Sequence, residues 1–171
     1  MVYGGHVKRT LEVLDELERQ GVFSRHAIGG AMAATFYAEP VLTFDLDIFV
    51  LLAPSAGGLI TLAPIYEALR ARGYHEQHES VSIEGVPVQF LPAYNSLVEE
   101  ALREARDVLY EDAPTRVLRA EYLVAISLQT GRGKDRERVR LLRAQAKLDD
   151  VLLLEVIQRY DLAERWKAWT G

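Results

Sequence analysis

The apolar run FDLDIFVLL, residues 44 to 52, restricts the fold more than any other stretch. Its hydrophobic side chains alternate poorly, as in a strand buried on both faces. Pro40 breaks the preceding pattern, and a strand is predicted over Val41 to Leu52. Within it stand two acids, Asp45 and Asp47. Residues at i and i+2 of a strand share a face, so the two carboxylates should project in parallel, ~7 Å apart along the strand, with Leu46 and Ile48 turned to the core. Ionised carboxylates in apolar surroundings are costly unless something positive sits between them. A hard divalent cation, Mg²⁺ or Mn²⁺, suits that place, because it takes a few carboxylates, waters and phosphate oxygens. For a bare Asp-x-Asp the plain alternative is a strand end that reaches solvent or pairs with arginine.

The segment before the strand shifts that balance. His26-Ala27-Ile28 reads as a short apolar entry into Gly29-Gly30, and Ala31 to Tyr37 as a helix. A glycine pair lets backbone approach a ligand closely, and N–H groups at a helix start can hold a phosphate. A glycine pair alone says little. A glycine pair, a short helix and then a strand bearing Asp-x-Asp supplies a phosphate cradle and a cation-binding pair at a fixed spacing.

The remaining sequence sets bounds. A chain of 171 residues is expected to form one domain, or a domain with a small helical appendage, and can bury a core without staples. The absence of cysteine excludes disulfides and thiolate-bound zinc. No run is long and apolar enough to span a bilayer, and Met1 to Thr10 does not resemble a signal peptide, so a cytoplasmic protein is expected. The net charge of −5 argues against polyanion binding through bulk charge. Residues 131 to 147 differ, with Arg132, Lys134, Arg136, Arg138, Arg140, Arg143 and Lys147 set against Asp135 and Glu137. A solvated helix face and a phosphate-facing surface are both open for that run.

Helical spacing of Val7, Leu11, Leu14 and Leu17 predicts a helix over residues 7 to 20, stopped by Gly21. Pro54 to Gly58 reads as a loop, Leu59 to Arg72 as a helix, and Ser80–Ile83 with Val86–Leu91 as a hairpin turning at Glu84-Gly85. Asn95 to Arg106 should be a helix capped by Asn95 or Ser96, and Arg116 to Leu118 a short edge strand. Ala120 to Gln129 is an apolar helix, followed by two or three more over 134 to 147 and 149 to 168. Strands cluster early and helices late, which predicts an α+β fold.

The order of glycine pair, Asp-x-Asp strand and late segment VLRAEYLVAISLQTGRGKDRERVRLL resembles the nucleotidyltransferase superfamily. The likeness spans roughly residues 22 to 145 and is strongest to small bacterial nucleotidyltransferase-like proteins related to abortive-infection toxins. The resemblance implies a small mixed sheet flanked by helices, with a core over 1–118 and a C-terminal helical segment, 119–171, packed on it. It implies that metals at Asp45 and Asp47 bridge a nucleoside triphosphate, whose monophosphate passes to an acceptor with loss of pyrophosphate. Gly29, Gly30, Thr43, Arg132 and Lys134 would bind the nucleotide. The acceptor could be a tRNA, a protein hydroxyl or a small aminoglycoside-like molecule, and a cognate antitoxin or a second copy are candidate partners.

Three positions depart from the pattern. Gln89 stands where the family often has a third acid; glutamine orients by hydrogen bonds but cannot act as a base. Val41 replaces an arginine ahead of Thr43, and Ser127 replaces a lysine of the late helix. Glu79 or Glu84 on the hairpin would be substitute acids. The rival expectation is a nucleotide-binding or regulatory module that has lost transfer.

Overall fold

The computed structural model describes residues 6–40, 45–53 and 60–171. Val41, Thr43 and the loop expected from Pro54 to Gly58 lie outside the described residues.

Helix α1 (His6–Arg19) buries the four predicted residues, Val7, Leu11, Leu14 and Leu17, and ends where Gly21 takes φ +79°. Strand β1 (Arg25–Ile28) leads through Gly29 into the single-turn helix α2 (Gly30–Ala34), shorter than the expected helix to Tyr37. Strand β2 (Leu46–Leu51) begins one residue after Asp45, so of the two acids only Asp47 lies within the strand itself. Leu46 and Ile48 are fully buried, as their parity requires. Helix α3 (Ala63–Ala71) has Pro64 in its first turn and starts later than expected.

A two-residue strand β3 (Glu76–Gln77) was not expected; it pairs with β4 (Ser80–Ile83) across His78-Glu79. Strand β4 pairs with β5 (Val86–Pro92) across Glu84-Gly85, both at positive φ, as the hairpin reading required. Helix α4 (Ser96–Arg103) is capped by Asn95, whose side chain accepts from the Val98 N–H. After it come β6 (Arg106–Tyr110) and β7 (Ala113–Val117), a hairpin turning on Glu111 and Asp112. The edge strand expected near Arg116 is therefore corrected: β7 is interior, because β6 covers its outer side.

The described strands form one mixed sheet of seven, in the order β3-β4-β5-β2-β1-β7-β6. Strand β2 runs antiparallel to β1 and parallel to β5, and β1 meets β7 in parallel. The chain ends in helices α5 (Ala120–Thr130), α6 (Gly133–Gln145), α7 (Asp150–Arg159) and α8 (Ala163–Thr170). Gly131, left-handed at φ +72°, ends α5. Trp166 and Trp169 on α8 pack partly buried against the core, and Arg143 lies over the Trp166 ring. The fold is α+β, a mixed sheet flanked by helices.

Candidate active site

Pairing across four strands fixes the centre of the site. Gln77 pairs with Ser80, Ser80 and Gln89 flank the Val81–Val88 pair of the β4–β5 ladder and line one cavity, and Gln89 pairs with Asp47. Register partners share a face, so a row of polar side chains crosses the sheet and ends at Asp47. One step further along, Phe49 pairs with Leu91 on that face, and helices α5 and α6 lie over it. A cavity of about 340 Å³ remains between sheet and helices. Its walls include Asp47, Phe49 and Leu91 from the sheet, Gly30 from α2, Ser127 from α5, Arg132 at the N-cap of α6 and Arg138 from its second turn.

Gly30 sits at φ +60°, and a Cβ placed there would collide with the Asp47 carboxylate. Glycine at this position is thus what allows an acid at 47. Gly29 is packed as tightly, against Phe49 and Leu118, and its N–H donates to the Asp47 carbonyl at 2.9 Å. That amide belongs to the sheet, which corrects the expectation that both glycine amides face a phosphate.

Asp47 makes no side-chain hydrogen bond or ion pair among the described residues. Burial pushes its carboxyl above the ordinary carboxylate range; Arg138 opposes the shift, Asp45 adds to it, and Lys134 and Arg132 oppose it more weakly. Among the described residues no arginine is locked onto Asp47; Arg138 acts on it only through its charge.

Asp45 is exposed and lines a second cavity, of about 580 Å³, with Gln77, His78, Glu79, Ser80 and Gln89. The two acids line adjoining cavities rather than the one expected, yet Gln89, the register partner of Asp47, lines the cavity of Asp45, and the charge of Asp45 reaches the Asp47 carboxyl. Of the substitute acids, Glu79 lies in this second cavity. Glu84 does not; it accepts a 2.6 Å hydrogen bond from the Tyr74 hydroxyl near the other hairpin turn.

The basic residues divide by partner. Asp135, almost fully buried, accepts from the Arg132 backbone at 3.0 Å, from Arg132 Nε at 2.8 Å and from the Thr130 hydroxyl at 2.8 Å. Arg132 lines the Asp47 cavity, and two of its guanidinium nitrogens bond Asp135 at the first turn of α6. Lys134 lines a neighbouring cavity with Ala31, Ala34, Glu137, Arg138, Arg140 and Leu141. Arg138 lines both cavities, with 17% of its side chain exposed, and burial pulls its guanidinium below the ordinary arginine value. It was not singled out from sequence, because only the fold separates it from six other cations in that run.

A hard cation suits Asp47, a half-buried carboxylate with no side-chain partner among the described residues, beside a glycine that leaves it room. Among the described residues, no three His, Asp or Glu side chains come together as a complete protein cage. The donors present fit an ion that keeps waters and takes further oxygens from a ligand.

No protein-family model matches the chain, and no curated protein matches it in sequence. Solved structures do match in shape. An antigenic nucleotidyltransferase-like protein from Paracoccidioides brasiliensis aligns with TM-score 0.55 and 14% identity, over 96% of this chain and 94% of that one. ANT(2″)-Ia, crystallised in complex with adenylyl-2″-tobramycin, aligns with TM-score 0.54 and 14% identity, over 92% of this chain and 98% of that one. The solution structure of ANT(2″)-Ia, described as an antibiotic-resistance factor, gives TM-score 0.51 and 16% identity, over 95% and 94%. The fold is that of the nucleotidyltransferases. At these identities the likeness is one of architecture, and it extends along nearly the whole chain rather than over the site alone. No helix among the described residues is long and apolar enough to cross a membrane.

Proposed function

We propose that this chain transfers a nucleoside monophosphate from a nucleoside triphosphate to a hydroxyl-bearing acceptor, with Mg²⁺ or Mn²⁺. The observation that carries the reading is Asp47: a half-buried carboxylate with no hydrogen-bond or ion-pair partner among the described residues, in a cavity that also holds arginine. The bound cation would neutralise charge on the triphosphate and on the departing pyrophosphate. Asp45 and Asp47 would hold it. Gly30 leaves the carboxylate of Asp47 its room, and Phe49, Leu91 and Leu123 offer apolar walls beside it.

In the transfer, the acceptor oxygen bonds to the α-phosphorus, the bond to the β-phosphate oxygen breaks, and pyrophosphate leaves. The acceptor also loses a proton. Gln89 cannot take it; its amide can only orient a group beside Asp47. Glu79, which lines the cavity of Asp45 and Gln89, is the carboxylate we assign to that task. Tobramycin appears in adenylylated form with the neighbour ANT(2″)-Ia. For this chain, tRNA, a protein hydroxyl and small aminoglycoside-like molecules are the acceptor classes to screen.

Gln89 motivates a second reading: a nucleotide-binding module, regulatory within a toxin–antitoxin pair, that binds but does not transfer. One experiment separates the two. Pyrophosphate release is followed with each nucleoside triphosphate, Mg²⁺ or Mn²⁺ and an acceptor screen, for wild type, for Asp45→Asn with Asp47→Asn, and for Gln89→Asp. The enzyme reading expects release by wild type and loss of at least about 10²-fold in the double variant. Binding without release in the wild type, with release appearing in Gln89→Asp, favours the module. Release that survives the double variant would sink both.

A further inference from the structure

Arg138 is poorly matched by its protein surroundings. A guanidinium carries five N–H donors and keeps its charge at any physiological pH. Arg138 makes a single hydrogen bond among the described residues, from one terminal nitrogen to Asp135 Oδ1 at 3.4 Å. The other Asp135 oxygen is taken by Arg132 and Thr130 at 2.8 Å. Arg138 lines the cavity that Asp47 and Ser127 also line. A mostly buried cation with most of its donors unspent is costly unless a ligand completes it.

The geometry adds a second constraint. Arg138 is also a wall of the neighbouring cavity, where Lys134 and Arg140 stand. Arg140 is already paired with Glu137 at 3.0 Å. A cation held at Asp47 and the guanidinium of Arg138 would repel each other across an empty cavity. A ligand with several negative charges in a row, bridging the two, turns that repulsion into attraction on both sides.

We propose that Arg138 is the principal polyphosphate-binding residue of this cleft, receiving the phosphates of a nucleoside triphosphate at the boundary between the Asp47 cavity and the Lys134 cavity. The inference rests on the nucleotidyltransferase reading, but adds a residue and a direction: the phosphate tail runs from Asp47 toward α6. It places Arg132 second, since two of its guanidinium nitrogens already bond Asp135.

The test is binding, measured by calorimetry with Mg²⁺ and two probes, α,β-methylene-ATP and inorganic tripolyphosphate. Arg138→Gln should weaken both by about 10- to 100-fold, the loss expected for a charge-assisted hydrogen-bonded contact. Arg136→Gln should bind like wild type. Equal affinity of Arg138→Gln and wild type, within twofold, overturns the proposal while leaving the nucleotide reading intact. Loss for the ATP analogue alone also overturns it, since the contact is then to the nucleoside. Failure of the wild type to bind either probe would instead sink the functional reading itself. Should Arg138→Gln not fold, arginine-selective labelling of the wild type with phenylglyoxal decides. Tripolyphosphate should protect Arg138 and not the exposed Arg136; absent or equal protection counts against the assignment.

Discussion

Asp47 is a residue whose chemistry and stability pull in opposite directions. Burial raises its carboxyl above the ordinary value of 3.8, which penalises the charged form in the folded chain. A group with a raised folded-state pKa favours the fold below its unfolded value, and that advantage is lost as pH rises through the folded value. At neutral pH the charged carboxylate is therefore a net cost until a cation covers it. Asp47→Asn should melt higher than the metal-free wild type at pH 7, with the gap closing as pH falls toward about 4. Thermal unfolding across that range checks it, and a lower melting temperature at pH 7 would mean the carboxylate stabilises the empty fold. The acid at 47 was readable because a charge inside an apolar run has few innocent explanations. Arg138 was not, because a basic residue in a basic run looks the same from sequence whether it meets water or a buried cavity. Thr43 falls outside the described residues.

At the scale of elements, the junction of α5 and α6 governs where the cations point. Asp135 gathers Arg132, Thr130 and Arg138 at the first turn of α6. Burial alone would raise its carboxyl, but the hydrogen bonds from Arg132 and Thr130 outweigh burial and lower it. Its stabilising effect is present above the unfolded value of 3.8 and is lost as pH falls through the lowered folded value. Asp135→Asn should cost about 2–3 kcal/mol at pH 7 by urea unfolding, and progressively less in acid. Helices with apolar periodicity or clear stops, such as α1 and α5, were legible in the sequence. The β6–β7 hairpin was not, since its turn residues Glu111 and Asp112 lack the glycine that signals such a turn, and Arg106 read as a helix end. Strand β3, two residues long, is too short to leave a pattern.

At the scale of the whole molecule, Glu18 joins parts far apart in the chain. Its carboxylate meets His26 of β1 at 3.0 Å and Arg116 of β7 at 2.8 Å, tying α1 to two neighbouring strands. Burial tends to raise its pKa, yet the hydrogen bonds from His26 and Arg116 prevail and hold it at about 2. The contribution is present above the unfolded value of 4.5 and lost as pH falls toward about 2. Glu18→Gln should lower stability by about 2 kcal/mol at pH 7, measured by urea unfolding, with little difference from wild type near pH 2. A variant as stable as wild type at pH 7 would show the cluster to be neutral. The sequence announced strands early and helices late, and so the α+β class. It could not announce that β2 would lie beside β5 and β1 beside β7 in parallel, because those neighbours come from crossovers rather than local pattern.

The missing side chain at position 30 and the carboxylate at position 47 occupy one volume between them. Neither site can drift alone. A larger residue at 30 must first be matched by a trimmed one at 47, and even then an ordinary amino acid meets the left-handed backbone there. Lineages that surrender the acid would be free to relax this bend, whereas those that retain it inherit the glycine as well.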